Sequence, residues 1–348
     1  MLVPLVALFA LGTACGDNAS GTAKASTAKG STEEAPTTVR LGYFPNITHA
    51  TAIVGVESGI FTTALGRNKL ETQTFNAGPA AVEALLSGAL DASYIGPNPA
   101  INAYVKSSGK AIRIISGATS GGAALVVKPG VTTAADLKGK KVASPQLGGT
   151  QDVALRHWLK DAGLNTDPQG GGDVSIVPQE NAQTLETFKS GAISGAWVPE
   201  PWATRLVQEG GGKVLVNEAE LWPGGRFVTT HLVVRTDFLK AHPAAVRALL
   251  DGQVKADALV HDNPSEAQKL VNTGIEKITG KKLAEAVITG AWPNLEFTND
   301  PVASSLKLSA DHAKDVGLLP AVRLDGIYDL ALLNQALKAA GQPQVRAS

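Results

Sequence analysis

Two stretches 103 residues apart echo one another, and this limits the possible folds more than any other feature of the chain. Residues 83–100 read EALLSGALDASYIGPNPA and residues 186–203 read ETFKSGAISGAWVPEPWA. Ser-Gly-Ala is shared, Leu90 matches Ile193, Tyr94 matches Trp197 and Ile95 matches Val198. Each copy reads as a helix, a Gly turn, a short strand, a Pro-bearing loop and a new helix, with Gly closing one helix and Pro opening the next. Two generic αβα units can share this much by chance. If the echo is structural, the chain has two lobes of similar build, with loops 96–99 and 199–202 in equivalent places. Ligands of open α/β sheets bind outside the carboxyl ends of strands, so two such lobes facing each other make a cleft.

The rest of the body fits that scheme. β-rich runs occur at 39–43, 70–75, 92–95, 112–116, 124–127, 141–143, 174–177, 196–198, 214–216 and 232–235. Between them, apolar residues at helical spacing mark 51–61, 79–87, 99–107, 152–162, 182–189 and 202–209. The alternation predicts an α/β fold with mainly parallel sheets. Beyond Thr236 the pattern is helical only. Pro243 opens a helix with Val246, Leu249, Leu250 and Val254 on one face, and 264–278, 282–291, 301–316 and 325–340 follow.

Composition removes several function classes. Lys and Arg total 31 against 31 Asp and Glu, so there is no excess of positive charge to meet nucleic-acid phosphates. The single cysteine, Cys15, excludes a disulfide framework, a Cys-based zinc site and an iron–sulfur cluster. Gly-x-Ser-x-Gly, P-loop, Gly-x-Gly-x-x-Gly and His-Glu-x-x-His patterns are absent, and no carboxylate pair stands out as an acid/base couple. His157, His242, His261 and His312 lie scattered on predicted helices and read as solvated. A non-enzymatic chain without cofactor or metal is expected, and 348 residues suit two domains at roughly 150 residues each.

Residues 1–11 (MLVPLVALFAL) form an apolar run too short to span a bilayer, followed by Gly12-Thr13-Ala14-Cys15. The pattern resembles a bacterial lipoprotein signal. It implies a signal peptide over 1–14 and a lipid on Cys15, with Gly12 where Leu is usual and no positive charge before Lys24. The alternative is a buried hydrophobic N-terminus. Residues 16–37 are Gly, Ala, Ser and Thr with scattered charge, which reads as a flexible tether reaching ~25 Å.

LGYFPNITHATAIVGVESGIF (41–61), DASYIGPNPAINAYVK (91–106), DLKGKKVASPQLGGTQDVALRHWLKDAGL (136–164) and ISGAWVPEPWATRLVQEGG (193–211) resemble the solute-binding proteins of ABC importers. Within them the chain is most similar to the aliphatic sulfonate, taurine and nitrate receptor group, in order over 39–340. The resemblance implies a type II, two-lobed periplasmic-binding-protein-like fold. Lobe one would comprise 38–122 and 231–348, lobe two 123–230, with hinge segments at 123–128 and 230–235. It also implies capture of a small organic anion, foremost an aliphatic sulfonate, and delivery to an ABC permease. The protein would be an exported monomer, held at the outer face of the cytoplasmic membrane by its lipid alone. Receptors for nitrate, taurine or a thiamine-type pyrimidine, and a sensor lipoprotein of the same fold, are the alternatives. Enzymes of thiamine-pyrimidine synthesis share the fold, but their cysteine-rich iron motif has no counterpart in this body.

Candidate ligand residues follow from the loops that end strands. In Gly148-Gly149-Thr150-Gln151-Asp152, glycines admit a ligand to the backbone, and helix-start N–H groups suit an anion. Gly149, Thr150 and Gln151 are the candidates there, against a plain capped helix. Asn46, Thr48 and His49 follow the first strand, with His49 alternatively a helix cap or surface histidine. Asn76 and Asn98 occupy the same place after later strands, and Gly121 and Gly122 end the strand before the first crossover. In the Pro-Glu-Pro-Trp loop, Glu200 would repel a bare anion, select an amine or close the cleft through a lobe-one partner. Trp202 would pack on a ligand's tail, in the core or at the lobe interface. His231 is a further candidate at the second crossover.

Overall fold

The computed structural model describes residues 35–347. The signal peptide, Cys15 and nearly all of the tether therefore lie outside the described residues. The strands are β1 (Thr38–Tyr43), β2 (Lys69–Thr74), β3 (Ala92–Ile95), β4 (Ile112–Gly121), β5 (Ala123–Val127), β6 (Lys141–Ser144), β7 (Ser175–Pro178), β8 (Gly195–Pro199), β9 (Lys213–Asn217), β10 (Val228–Arg235) and β11 (Leu295–Phe297). They form two sheets, ordered β11-β4-β10-β3-β1-β2 and β7-β6-β8-β5-β9. The sheet-connecting helices are α1 (Ala50–Glu57), α2 (Ile60–Leu65), α3 (Gly78–Leu86), α4 (Pro97–Lys106), α5 (Thr150–Asp161), α6 (Asn181–Lys189) and α7 (Trp202–Gln208). The later part contributes α8 (Thr236–Ala241), α9 (Pro243–Asp262), α10 (Pro264–Thr279), α11 (Glu285–Ala291), α12 (Ala303–Asp315) and α13 (Ala331–Ala339). Each sheet with its helices makes one lobe. Lobe one carries the six-stranded sheet and lobe two the five-stranded sheet.

The two sheets share a plan. β1 pairs in parallel with β2 and β3, and β6 pairs in parallel with β7 and β8. Beyond each trio an antiparallel strand follows, β10 beside β3 and β5 beside β8. The echoed strands β3 and β8 thus hold the same position in their sheets. Their matched aromatics are both fully buried, and both donate to a polar group from another segment. Tyr94 Oη reaches Gln253 Oε1 at 2.5 Å, and Trp197 Nε1 reaches Glu218 Oε2 at 2.7 Å.

Four expectations need correction. The sheets are mixed instead of mainly parallel, because the chain enters each sheet from the other one and a strand arriving that way needs no right-handed helical crossover. The stretches expected as hinges, 123–128 and 230–235, are central strands with neighbours on both sides. The chain passes between sheets at Gly121–Gly122 and again over residues 218–227. Both glycines have positive φ (77° and 73°), and a Cβ on Gly122 would lie 2.3 Å from Leu295 Cδ2, so this sharp passage requires glycine. Strands also do not stop at Thr236, since β11 pairs with β4. Three residues are too few to carry an alternating pattern. The single helix expected at 51–61 breaks at Gly59 (φ 74°) into α1 and α2.

Packing follows the α/β/α layering in each lobe. One face of the larger sheet is covered by α1, α2, α9 and α10 around Ile53, Phe61, Leu250 and Val271, and the other by α3, α4 and α12 around Leu85, Ile101 and Leu306. The smaller sheet packs α5 on one side, around Leu155 and Trp197, and α6 and α7 on the other, around Phe188 and Leu206. This anchors both sheets and leaves the loops at their strand ends free to form a site.

Glu218 reports on this core. Its full burial pushes the carboxyl up to about 7 from 4.5, with the Trp197 indole as a partial offset. The folded protein then holds a proton there that the unfolded chain releases above pH 4.5. Stability falls as pH rises through 4.5–7, and the loss is complete above that window. Glu218→Gln keeps an acceptor for Trp197 and removes the charge. Denaturant unfolding of this variant should show a stability gain over wild type of up to about 3 kcal/mol at pH 8 that vanishes near pH 4. A gain independent of pH would show that Glu218 is not the titrating group.

Candidate functional site

The carboxyl ends of the parallel trios of both sheets point into one cavity of about 40 Å³ between the lobes. After β1 come Phe44, Asn46, Thr48 and His49, after β2 Asn76, Ala77 and Gly78, and after β3 Gly96 and Pro99. Across from them, β6 leads to Pro145, Gln146, Gly149, Thr150 and Gln151, β7 to Asn181, and β8 ends in Pro199. Thr229 and Thr230 of β10 complete the wall. At ~10–15 Å³ per enclosed water, the space suits a few waters or one compact polar group.

The electrostatics of this wall come from dipoles. None of the residues around the cavity is Asp, Glu, Lys or Arg. Helices α3, α4, α5 and α6 all begin on it, and none has a side-chain cap on its first amides. The two lobes differ in what these helix starts offer. Helices α3 and α4 carry proline in their first two positions, which removes donors and leaves mainly the helix dipole. In α5 and α6 the first intrahelical bonds are Val153 N–H to Gly149 O and Thr184 N–H to Glu180 O. The N–H groups of residues 150–152 and 181–183 thus precede the helical ladder, as donors an anion accepts.

Each wall has one buried arrangement behind it. Asp152, fully buried, accepts from Ser144 Oγ at 2.7 Å, from Gly148 N–H at 2.9 Å and from Arg156 Nε at 3.0 Å. It pins the glycine loop to the helix it precedes, and Arg156 balances its charge inside lobe two. On the facing wall, His49 Nδ1 accepts from Phe44 N–H at 3.4 Å, and burial lowers the imidazole pKa to about 3. The neutral ring therefore carries its proton on Nε2, as a donor.

The structure brings together Asn46, Thr48, His49, Asn76, Gly149, Thr150 and Gln151 from the expected set, and leaves the others outside. Asn98 is buried but donates to Ser309 O at 3.1 Å, and it does not line the cavity. Gly121 and Gly122 serve the passage between sheets: Gly122 O accepts from Glu200 N–H at 2.8 Å and Gly121 N–H donates to Phe227 O. Burial raises the carboxyl pKa of Glu200, which accepts from Thr204 N–H and Oγ1 and from lobe-one Asn294 Nδ2 at 2.8 Å. Trp202 Nε1 donates to Asn46 Oδ1 at 2.9 Å. His231 is buried within its sheet, donating to Pro301 O. His157 and His312 are not scattered; their rings stack at 3.7 Å between α5 and α12. Among the described residues, no group of three or more His, Cys, Asp or Glu could hold a metal.

Sequence reasoning missed Gln146, Asn181, Thr229 and Thr230. For Asn181 a signal existed. Carried five residues upstream, the 103-residue echo pairs Asn181 with Gly78, each the first residue of its helix. Thr229 and Thr230 sit inside a strand pattern, where nothing local distinguishes a wall residue from a buried one.

Two outcomes follow from this geometry. No residue lining the cavity titrates between pH 5 and 9, so anion affinity measured by calorimetry should stay within about twofold across that range. A sigmoidal loss near pH 6–7 would mean a charged histidine takes part. Gly96 faces Thr150 across the lobes, and an added Cβ would lie 2.3 Å from Thr150 Oγ1. Gly96→Ala should obstruct closure, weakening affinity at least tenfold with ligand-free unfolding unchanged. Wild-type affinity in this variant would show that the two loops do not meet in the bound state.

Comparison with known proteins agrees with this geometry. The taurine-binding periplasmic protein of Escherichia coli (strain K12) is 26% identical over 269 residues, covering 74% of this chain and 80% of that one. The alkanesulfonate-binding protein of Xanthomonas axonopodis pv. citri, solved bound to MOPS, superposes with a TM-score of 0.72 at 21% identity, covering 86% of this chain and all of that one. The periplasmic nitrate-binding protein of Synechocystis PCC 6803 gives 0.73 at 20% identity, covering 89% and 90%. These are binding proteins, not enzymes, and the two structures share the periplasmic-binding fold with this chain. Residues 32–274 match the NMT1-like family, and the chain belongs to it.

Proposed function

We propose that this protein is the extracytoplasmic solute-binding component of an ABC importer and captures a small organic anion, an aliphatic sulfonate foremost. The observation that carries this reading is the cavity: helix starts from two lobes converge on it, and its wall holds no charged side chain. Donors without counter-charge suit a strong-acid anion that must be held and later released, since a buried ion pair would resist release. Asn46, Thr48 and His49 of lobe one and Gly149, Thr150 and Gln151 of lobe two would bind it, with Asn76 at the rim. Closure of lobe two (from Ala123 to the passage at 218–227) on lobe one (38–122 and from Val228 onward) would enclose it and present the closed form to a permease. A taurine-binding relative and an alkanesulfonate-binding structural neighbour support the anion class. No helix among the described residues is long and apolar enough to cross a membrane; a lipid on Cys15 would hold the protein at the membrane.

The small cavity favours a second reading, capture of an inorganic oxyanion such as nitrate. A thermal-shift panel of ethanesulfonate, longer alkanesulfonates, taurine, nitrate, bicarbonate and a pyrimidine separates the two. A short alkanesulfonate should stabilise the protein by about 2.7 kcal/mol at 100 times its Kd. A response to nitrate alone would move the assignment to the second reading, and no response at all would refute both. Thr150→Ala combined with Gln151→Ala should reduce affinity at least tenfold with the fold retained.

A further inference from the structure

Of the three places open to Trp202 (ligand tail, core or lobe interface), the structure gives the interface: it does not line the cavity but bonds a residue that does. Asn46 is buried, and its Oδ1 accepts from the Trp202 indole across the lobe interface, which fixes which end of the amide faces Trp202. That bond engages only the carbonyl end of the amide, and Asn46 itself is part of the cavity wall. Trp202 is in turn held from below. The Glu200 carboxylate accepts from Thr204 N–H and Oγ1 in the first turn of α7, and the Arg205 guanidinium lies 4.7 Å from the indole centroid. The same carboxylate accepts from lobe-one Asn294. One loop of lobe two thus makes two side-chain bonds to lobe one, and one of them orients a wall residue.

We infer that Trp202 is a positioning residue for capture: on closure its indole N–H takes the Asn46 carbonyl and turns the Asn46 amide N–H₂ toward the bound anion. This rests on the anion-receptor reading above. In the open form the two lobes are apart and Asn46 is free to rotate, so its donor is organised only when Trp202 arrives. Closure and the completion of the anion's hydrogen bonds become one event.

The test is Trp202→Phe, which keeps an aromatic ring for Arg205 and deletes the N–H, together with Asn46→Ala and the double variant. Each is titrated by calorimetry with ethanesulfonate and, in parallel, with nitrate. Trp202→Phe should weaken binding about tenfold, chiefly through faster dissociation, with ligand-free unfolding unchanged. In the Asn46→Ala background the same change should have almost no further effect, because the group it orients is gone. Unchanged affinity in Trp202→Phe, or an equal loss in both backgrounds, would overturn the inference and leave the receptor reading standing. Wild type that binds neither anion would overturn the reading itself, and the inference with it.

Discussion

An anion taken out of water must have its oxygens hydrogen-bonded, or the desolvation cost keeps it outside. A receptor that must also release its ligand gains little from meeting that need with a buried Lys or Arg. Unladdered N–H groups at helix starts offer an alternative, and two sheets of matching plan bring several such starts to one point. The rest of the structure serves this convergence. Parallel trios aim their carboxyl ends at the cleft, glycines at 148 and 149 let the backbone approach it, and Asp152 ties that loop to α5 from behind.

The lobes divide the work unequally. In lobe two, α5 and α6 supply main-chain donors, whereas prolines at the starts of α3 and α4 leave lobe one to act through side chains. Asn46, Thr48 and the neutral His49 sit opposite the amides of residues 150–152. Polar bonds besides Trp202–Asn46 also join the lobes: Asn76 Nδ2 to Glu180 Oε1 at 2.7 Å, Asn294 to Glu200, and Gln208 Nε2 to Ala286 O at 3.1 Å. Each is a single hydrogen bond, and the buried Glu200 carboxyl keeps its Thr204 partners within lobe two when Asn294 is lost.

Much of this was legible in the sequence because it is written in local patterns. The echo at Tyr94 and Trp197 marks the third strand of each parallel trio, and the strand-end loops carry Asn46, His49 and Thr150, which line the cavity. Other features depend on pairing partners far along the chain. Antiparallel insertion of β5 and β10 leaves no period in the sequence, so the sheets read as mainly parallel. Asn98, Glu200 and Trp202 follow the correct strand ends, but whether a side chain faces a ligand or a neighbouring lobe is set by tertiary contacts. Ser309, Asn294 and Asn46 decide that, and all three are distant from their partners in sequence.

In the proposed receptor, main-chain N–H groups at the starts of α5 and α6 hold the anion. Amide resonances of an isotope-labelled sample, followed by NMR as ethanesulfonate is added, test it most directly. The largest downfield proton shifts and new exchange protection should fall on residues 150–152 and 181–183. Saturable binding that leaves those amides unmoved, with the changes gathered on lysine or arginine side chains, would contradict it.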